Sequence, residues 1–194
     1  MIEIFDNYLS EKIFTEVVTY ATNENLCWNF SYRANPAAKT DEQCQFFHHM
    51  FEGGKQLVEG SDIFSKKILH PLMLKKQRNL LLLRSRINFF IRIKDYQFGL
   101  GYHIDIDDYP GKCYTLLLYL EDSNGCTEFE ECGTRVESKR NRACVFPCNL
   151  RHQTVTSTNA LFRRNINLNF IYQKNNYGTK GLAQFYQSDK ETFD

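Results

Sequence analysis

From Leu80 to Ile93 the side chains change sides with a period of two. Ile87, Phe89, Ile91 and Ile93 fall on one side and Asn88, Phe90 and Arg92 on the other. Such alternation commits a segment to a strand with one face against a core. Five further stretches read as strands, at 113–120, 127–130, 143–146, 152–156 and 164–172. Pro110-Gly111, Asn124-Gly125, Gly133 and Pro147 supply turns between them. Many short strands separated by turns predict a sandwich or barrel, within an α+β, mainly β chain.

Upstream, residues 1–79 read mainly as helical. Ser10 is placed to cap a helix whose Ile13, Val17 and Ala21, with Phe14 beside them, recur at helical spacing. A second helical stretch is expected over 41–58 and a third over 62–77, interrupted at Pro71. These helices are expected to buttress the outer face of a sheet. A chain of 194 residues is long enough for one real core. The expected organisation is one domain over 1–194, with helical support over 1–79, a strand core over 80–172 and a C-terminal extension over 173–194.

Two residues past Gly101, His103-Ile104-Asp105 puts an imidazole and a carboxylate at positions i and i+2, which share a face on a strand. His152 follows 49 residues later and opens another strand. Two histidines and one carboxylate form the facial triad of non-haem Fe(II) oxygenases, which leaves coordination positions open. Arg163 lies 11 residues beyond His152. Its planar guanidinium matches a carboxylate bidentately, as the far end of 2-oxoglutarate requires. Tyr119 shares a strand face with Thr115 and Leu117, and its hydroxyl is a candidate for the same carboxylate.

These residues occur in an order that resembles a known family. His103-Ile-Asp105, Tyr119-Leu120, Gly125-Cys126-Thr127-Glu128-Phe129, His152 and Arg163 are similar to the core of the prolyl-hydroxylase-like branch of the Fe(II)/2-oxoglutarate-dependent dioxygenases. The opening segment from Ile4 to Ser10 is similar to that family's first strand and helix start. Cys126 departs from the pattern, standing where a second glycine is usual. The resemblance implies a double-stranded β-helix (jelly-roll) core, with iron on His103, Asp105 and His152 and 2-oxoglutarate on Arg163 and Tyr119. It implies hydroxylation of an unactivated C–H bond with O2, release of succinate and CO2, and ascorbate as a supporting reductant. Arg92, Tyr102, Asn165 and Asn167 are the expected substrate contacts, with Asn88, Tyr96 and Asn169 as further polar pocket groups. A peptidyl side chain, prolyl included, and a small molecule are both open as substrate.

Competing assignments are few. Asp107 is in phase with Asp105, but the i, i+2 spacing from His103 needs no loop and favours Asp105. Arg164 shares a face with Ile166, Leu168 and Phe170, whereas Arg163 shares one with three asparagines, which favours Arg163 for a polar pocket. His48, His49 and His70 lie in the stretch read as helical and are expected to be surface or packing residues. The same triad holding zinc or manganese would suit a hydrolase or isomerase, and a jelly roll can also bind without turnover.

Composition narrows the partners. With 24 basic and 23 acidic residues the net charge is +1, so no global field recruits nucleic acid or a membrane. Lys75-Lys76-Gln77-Arg78 with Arg84 and Arg86 reads as a solvated loop and strand face rather than a basic patch. The N-terminal residues lack a basic and then apolar leader, and no run of 18 apolar residues occurs. Seven cysteines at irregular spacing, without a CxxC half-site, are expected to be reduced thiols of a cytoplasmic protein.

Overall fold

The computed structural model describes residues 1–32, 44–109 and 111–173. Along the chain run β1 (Glu3–Phe5), α1 (Glu11–Ala21), β2 (Asn29–Ser31), β3 (Gln45–Glu52), β4 (Lys55–Gln56) and α2 (Ser61–Lys76). Then follow β5 (Leu80–Ile91), β6 (Cys113–Tyr119), β7 (Cys126–Phe129), β8 (Arg135–Glu137), β9 (Arg142–Pro147), β10 (His152–Val155) and β11 (Phe162–Tyr172). An eight-stranded antiparallel sheet has the order β1-β9-β6-β11-β5-β3-β2, with β4 paired to β3. A three-stranded sheet, β10-β7-β8, covers part of it. This is the expected jelly-roll core with two buttressing helices.

The larger sheet has two unlike faces, and the helices cover one of them. On β11, Ile166, Leu168 and Phe170 are fully buried and pack with Ile87 of β5, Leu116 and Leu118 of β6 and Val145 of β9. Phe14, Val17 and Ala21 of α1 and Ile68, Leu69 and Leu72 of α2 close this core from outside. Ser10 caps α1 through Ile13 N–H, as its sequence position predicts. A smaller apolar cluster of Leu117, Tyr119, Phe129, Val136, Cys144 and Phe146 joins the two sheets from within.

The N-terminal half departs from its sequence reading. Residues 45–52 form a strand, not part of a helix over 41–58, and residues 41–43 lie outside the described residues. A register shift between His49 and Phe51 interrupts the alternation of β3, which disguises its period in the sequence. Gly53 and Gly54, both with positive φ, then turn the chain into β4. His48 and His49 are thus strand residues of the larger sheet. The helix expected over 62–77 spans 61–76 without a break at Pro71. Burial of Ile68, Leu69 and Leu72 on either side of the proline holds it together. All but Gln173 of the C-terminal extension expected over 173–194 lies outside the described residues.

The cysteines are also corrected. Cys113 and Cys148 form a disulfide, their Cα atoms 5.4 Å apart, while Cys27, Cys44, Cys126, Cys132 and Cys144 are free. The two partners are 35 residues apart in sequence and meet only because β6 lies beside β9. Seven free thiols therefore cannot argue for a reducing compartment. No helix among the described residues is long and apolar enough to cross a membrane.

Candidate functional site

Strand register lays out the inner face of the larger sheet. Arg163 of β11 stands opposite Phe90, Asn165 opposite Asn88, Asn167 opposite Arg86 and Asn169 opposite Arg84. On the other side of β11, Asn165 faces Tyr119, Asn167 faces Leu117 and Asn169 faces Thr115. Directly paired residues project to the same side, so three strands contribute to one polar floor. The smaller sheet supplies the roof. Thr127 and Phe129 of β7 pair with Thr154 and His152 of β10.

His103, Asp105 and His152 converge between floor and roof, with their ligand atoms all within 4.8 Å of one another. His103 is not in a regular strand. It forms an isolated bridge to His152, each N–H donating to the other's carbonyl at 2.9 Å, and the chain bends at Asp105. The Asp105 N–H is fixed instead by the Cys148 carbonyl at 3.0 Å. Asp107, the competitor for the carboxylate position, is exposed.

Hydrogen bonds orient all three side chains. His152 Nδ1 lies 2.9 Å from the Leu150 carbonyl and His103 Nδ1 lies 3.3 Å from the Gly101 carbonyl. A carbonyl only accepts, so each Nδ1 carries the proton and each Nε2 keeps its lone pair. Burial, followed by the nearby His152 ring, pushes the His103 pKa down to about 4. The imidazole is therefore neutral at physiological pH, as metal binding requires. Asp105 Oδ2 accepts from Thr115 Oγ1 at 2.5 Å, and Oδ1 accepts from Asn167 Nδ2 at 3.2 Å and Arg84 Nη2 at 3.4 Å. Burial opposes ionisation of this carboxyl, but the surrounding imidazoles, Arg84 and Arg86 outweigh it and hold its pKa below the usual range.

At the other end of the floor lies Arg163, 2% exposed. Neither Nη1 nor Nη2 has a hydrogen-bond partner among the described residues. Tyr119, fully buried, donates to Thr127 Oγ1 at 2.8 Å, and burial drives its pKa up. Gly125 is where the roof comes close to this guanidinium. A Cβ there would sit 3.2 Å from Arg163 Cδ and 3.1 Å from the Val155 carbonyl oxygen. Arg164 points the opposite way and is satisfied, with Nε bonded to Glu121 Oε1 at 2.6 Å and Nη1 to the Ala21 carbonyl at 3.2 Å.

Of the expected substrate contacts, Asn165 and Asn167 line the pocket beside the two histidines, together with Gln45, Arg86, Asn88, Phe90, Leu100, Leu117, Thr127 and Thr154. Arg92 and Tyr102 do not line it. Arg92 lies past the end of β5, is exposed and bonds the Thr158 carbonyl. Tyr102 bonds Glu128, whose position on β7 faces away from Thr127 and the pocket. Tyr96 is 59% exposed. Asn169 is committed to Thr115 and Arg84. Arg84 and Arg86, which in the sequence look like a solvated face, stand on this inner face instead. Their even-numbered parity with Asn88 on β5 was the available signal.

No protein-family model matches the sequence, and no curated protein matches it significantly. Solved structures do match. The chain is similar to an oxidoreductase of the 2OG-Fe(II) oxygenase family from Burkholderia pseudomallei, with TM-score 0.67 and 10% identity over 88% of this chain and 84% of that one. It is also similar to the prolyl hydroxylase of Trichoplax adhaerens solved with a hypoxia inducible factor peptide fragment, with TM-score 0.59 and 14% identity over 88% of this chain and 83% of that one. A third likeness is to SnoN, a non-heme alpha ketoglutarate dependent epimerase from nogalamycin biosynthesis, with TM-score 0.61, 11% identity and coverages of 91% and 82%. SnoN has also been solved with Fe3+, alpha ketoglutarate and a nogalamycin compound. The fold of this chain is thus the one shared by the 2-oxoglutarate/Fe(II) oxygenases, prolyl hydroxylases among them.

Proposed function

We propose that this chain is an Fe(II)- and 2-oxoglutarate-dependent oxygenase that hydroxylates a C–H bond of a peptidyl or small-molecule substrate. The observation that carries the reading is the buried guanidinium of Arg163, whose Nη atoms have no partner among the described residues, on the same floor as a His-Asp-His cluster. A desolvated cation without an anion is unfavourable, and a carboxylate is its natural complement. A metal-dependent hydrolase or a passive jelly-roll binder gives that arginine no such task.

The donor set suits the metal. His103 and His152 offer Nε2 lone pairs, and Asp105 offers a carboxylate that Thr115, Asn167 and Arg84 keep ionised and oriented. Arg163 is placed to hold the distal carboxylate of 2-oxoglutarate, with Tyr119 beside it. Bound together, iron and 2-oxoglutarate supply an oxidant for an unactivated C–H bond, converting 2-oxoglutarate, O2 and R–H to succinate, CO2 and R–OH. Leu100, Leu117 and Phe90 give the pocket apolar walls that limit water near the reacting centre.

The direct test is conversion of 2-oxoglutarate to succinate by the purified chain with Fe(II) and ascorbate, followed by mass spectrometry. Wild type is expected to form succinate, and His152→Ala to form none while keeping its circular dichroism spectrum. Equal succinate formation by His152→Ala and wild type would remove His152 from the metal site.

A further inference from the structure

The pocket beside the histidines contains a cation that adds to the field holding Asp105 ionised but leaves its own hydrogen-bonding capacity unused. Arg86 lines it from the inner face of β5. Its Nε is buried and meets no acceptor among the described residues. Its register partners are Asn167 on β11 and His49 on β3, neither of which supplies a negative charge. The carboxylate beside it, Asp105, is already held by Thr115, Asn167 and Arg84. Glu52 is 55% exposed at its side chain and lies 3.9 Å from His49 Nδ1, so water screens it. Burial, with Arg84 adding to it, pushes the Arg86 pKa down to about 10, which leaves the guanidinium charged at neutral pH. Next to it, Asn88 is 4% exposed and its Oδ1 is also unpartnered among the described residues.

Arg86 is badly placed to serve the co-substrate's distal carboxylate. Arg163 stands opposite Phe90, four residues along β5 from Arg86, which is roughly 13 Å of strand. The two arginines stand at separate points along the floor, with the histidine pair above it. Phe90, Leu100 and Leu117 line the intervening space.

We propose that Arg86 is a substrate-specificity residue, whose guanidinium receives an oxyanion carried by the substrate and so sets the carbon to be oxidised beside His103 and His152. This rests on the metal and co-substrate roles given above. A carboxylate matches the planar guanidinium with two parallel N–H bonds, and a phosphate does so nearly as well. The substrate class is therefore a small or peptidyl molecule with an acidic group close to an apolar C–H.

The test fills the metal and co-substrate positions of the full chain with Mn(II) and N-oxalylglycine, an unreactive mimic of 2-oxoglutarate. Acetate and inorganic phosphate are then titrated, and paramagnetic broadening of their NMR signals reports an anion held near the metal. Wild type is expected to broaden at least one of the two. The concentration for half-maximal broadening is expected to rise about tenfold or more in Arg86→Gln and less in Arg86→Lys. N-oxalylglycine affinity, measured by calorimetry, is expected to stay within about twofold in both variants. Thermal melts establish that each is folded, and Arg86→Lys carries the comparison if Arg86→Gln is not. A preference for acetate assigns a carboxylate substrate, and a preference for phosphate assigns a phosphorylated one. Equal broadening by wild type and both variants overturns the proposal, as does a wild type that binds N-oxalylglycine but neither anion. A wild type that fails to bind N-oxalylglycine breaks the co-substrate reading instead. Loss of N-oxalylglycine binding in Arg86→Gln but not in Arg163→Gln makes Arg86 the clamp and overturns both.

Discussion

The two faces of the larger sheet are built from the same three central strands and obey opposite rules. On the outer face, Ile166, Leu168, Phe170, Ile87, Leu116 and Leu118 bury hydrocarbon against two helices. On the inner face, the residues between them in sequence are Arg163, Asn165, Asn167, Asn169, Arg84, Arg86, Asn88 and Thr115. The outer face follows what stability favours. The inner one buries guanidinium groups of Arg86 and Arg163 and amide groups whose atoms are partly without hydrogen-bond partners among the described residues. Neighbouring residues of one strand thus serve folding and function separately, and the pleat keeps them apart.

The largest effect expected from this division lies on the outer face. Phe170→Ala should lower stability by about 3–5 kcal/mol, through lost burial and the cavity left behind. Denaturant titration checks this, and 2-oxoglutarate affinity per folded molecule should hardly change. A Phe170→Ala protein that stays as stable as wild type would break the comparison.

On the inner face the sign reverses. Arg163→Met should weaken 2-oxoglutarate binding by about two to three orders of magnitude, since a charge-assisted bidentate partner is lost. Without ligand it should raise the melting temperature, because a buried guanidinium whose Nη atoms have no hydrogen-bond partner among the described residues is replaced by an apolar chain of similar length. Arg164→Met should instead lower the melting temperature, losing its bond to Glu121, and leave ligand affinity unchanged. Calorimetry and thermal melts read all four outcomes, and a clamp located at Arg164 would exchange them.

Gly125→Ala sharpens the picture at smaller scale. Its new methyl would press on Arg163 and the Val155 carbonyl, so 2-oxoglutarate affinity should fall by about tenfold with the fold retained. An unchanged dissociation constant would show that the guanidinium moves aside freely.

Much of this was readable beforehand, and the exceptions have causes. The alternation of β5 and β11 separates Arg163 from Arg164 without any structure. His103, Asp105 and His152 do come together, but His103 sits on an isolated bridge and the chain bends at Asp105, not in the regular strand that the i, i+2 spacing predicts. β3 escaped because the irregularity at His49–Phe51 breaks its period, although Gly53-Gly54 was a usable hairpin signal. Arg84 and Arg86 read as solvated because basic residues usually are, even though Asn88 on the same strand face reads as a pocket group. The Cys113–Cys148 pair depends on β6 lying beside β9, which no local spacing encodes.

One feature of the cluster bears on motion. The two histidines are bonded to each other at the edge of the smaller sheet, while the Asp105 carboxylate is tethered by Thr115, Asn167 and Arg84 of the larger one. An ion held by all three would act as a rivet through both layers. Breathing of the sandwich would then pull the donors apart before either sheet lost a strand, and the residence time of the metal would gauge how firmly the layers are pressed together.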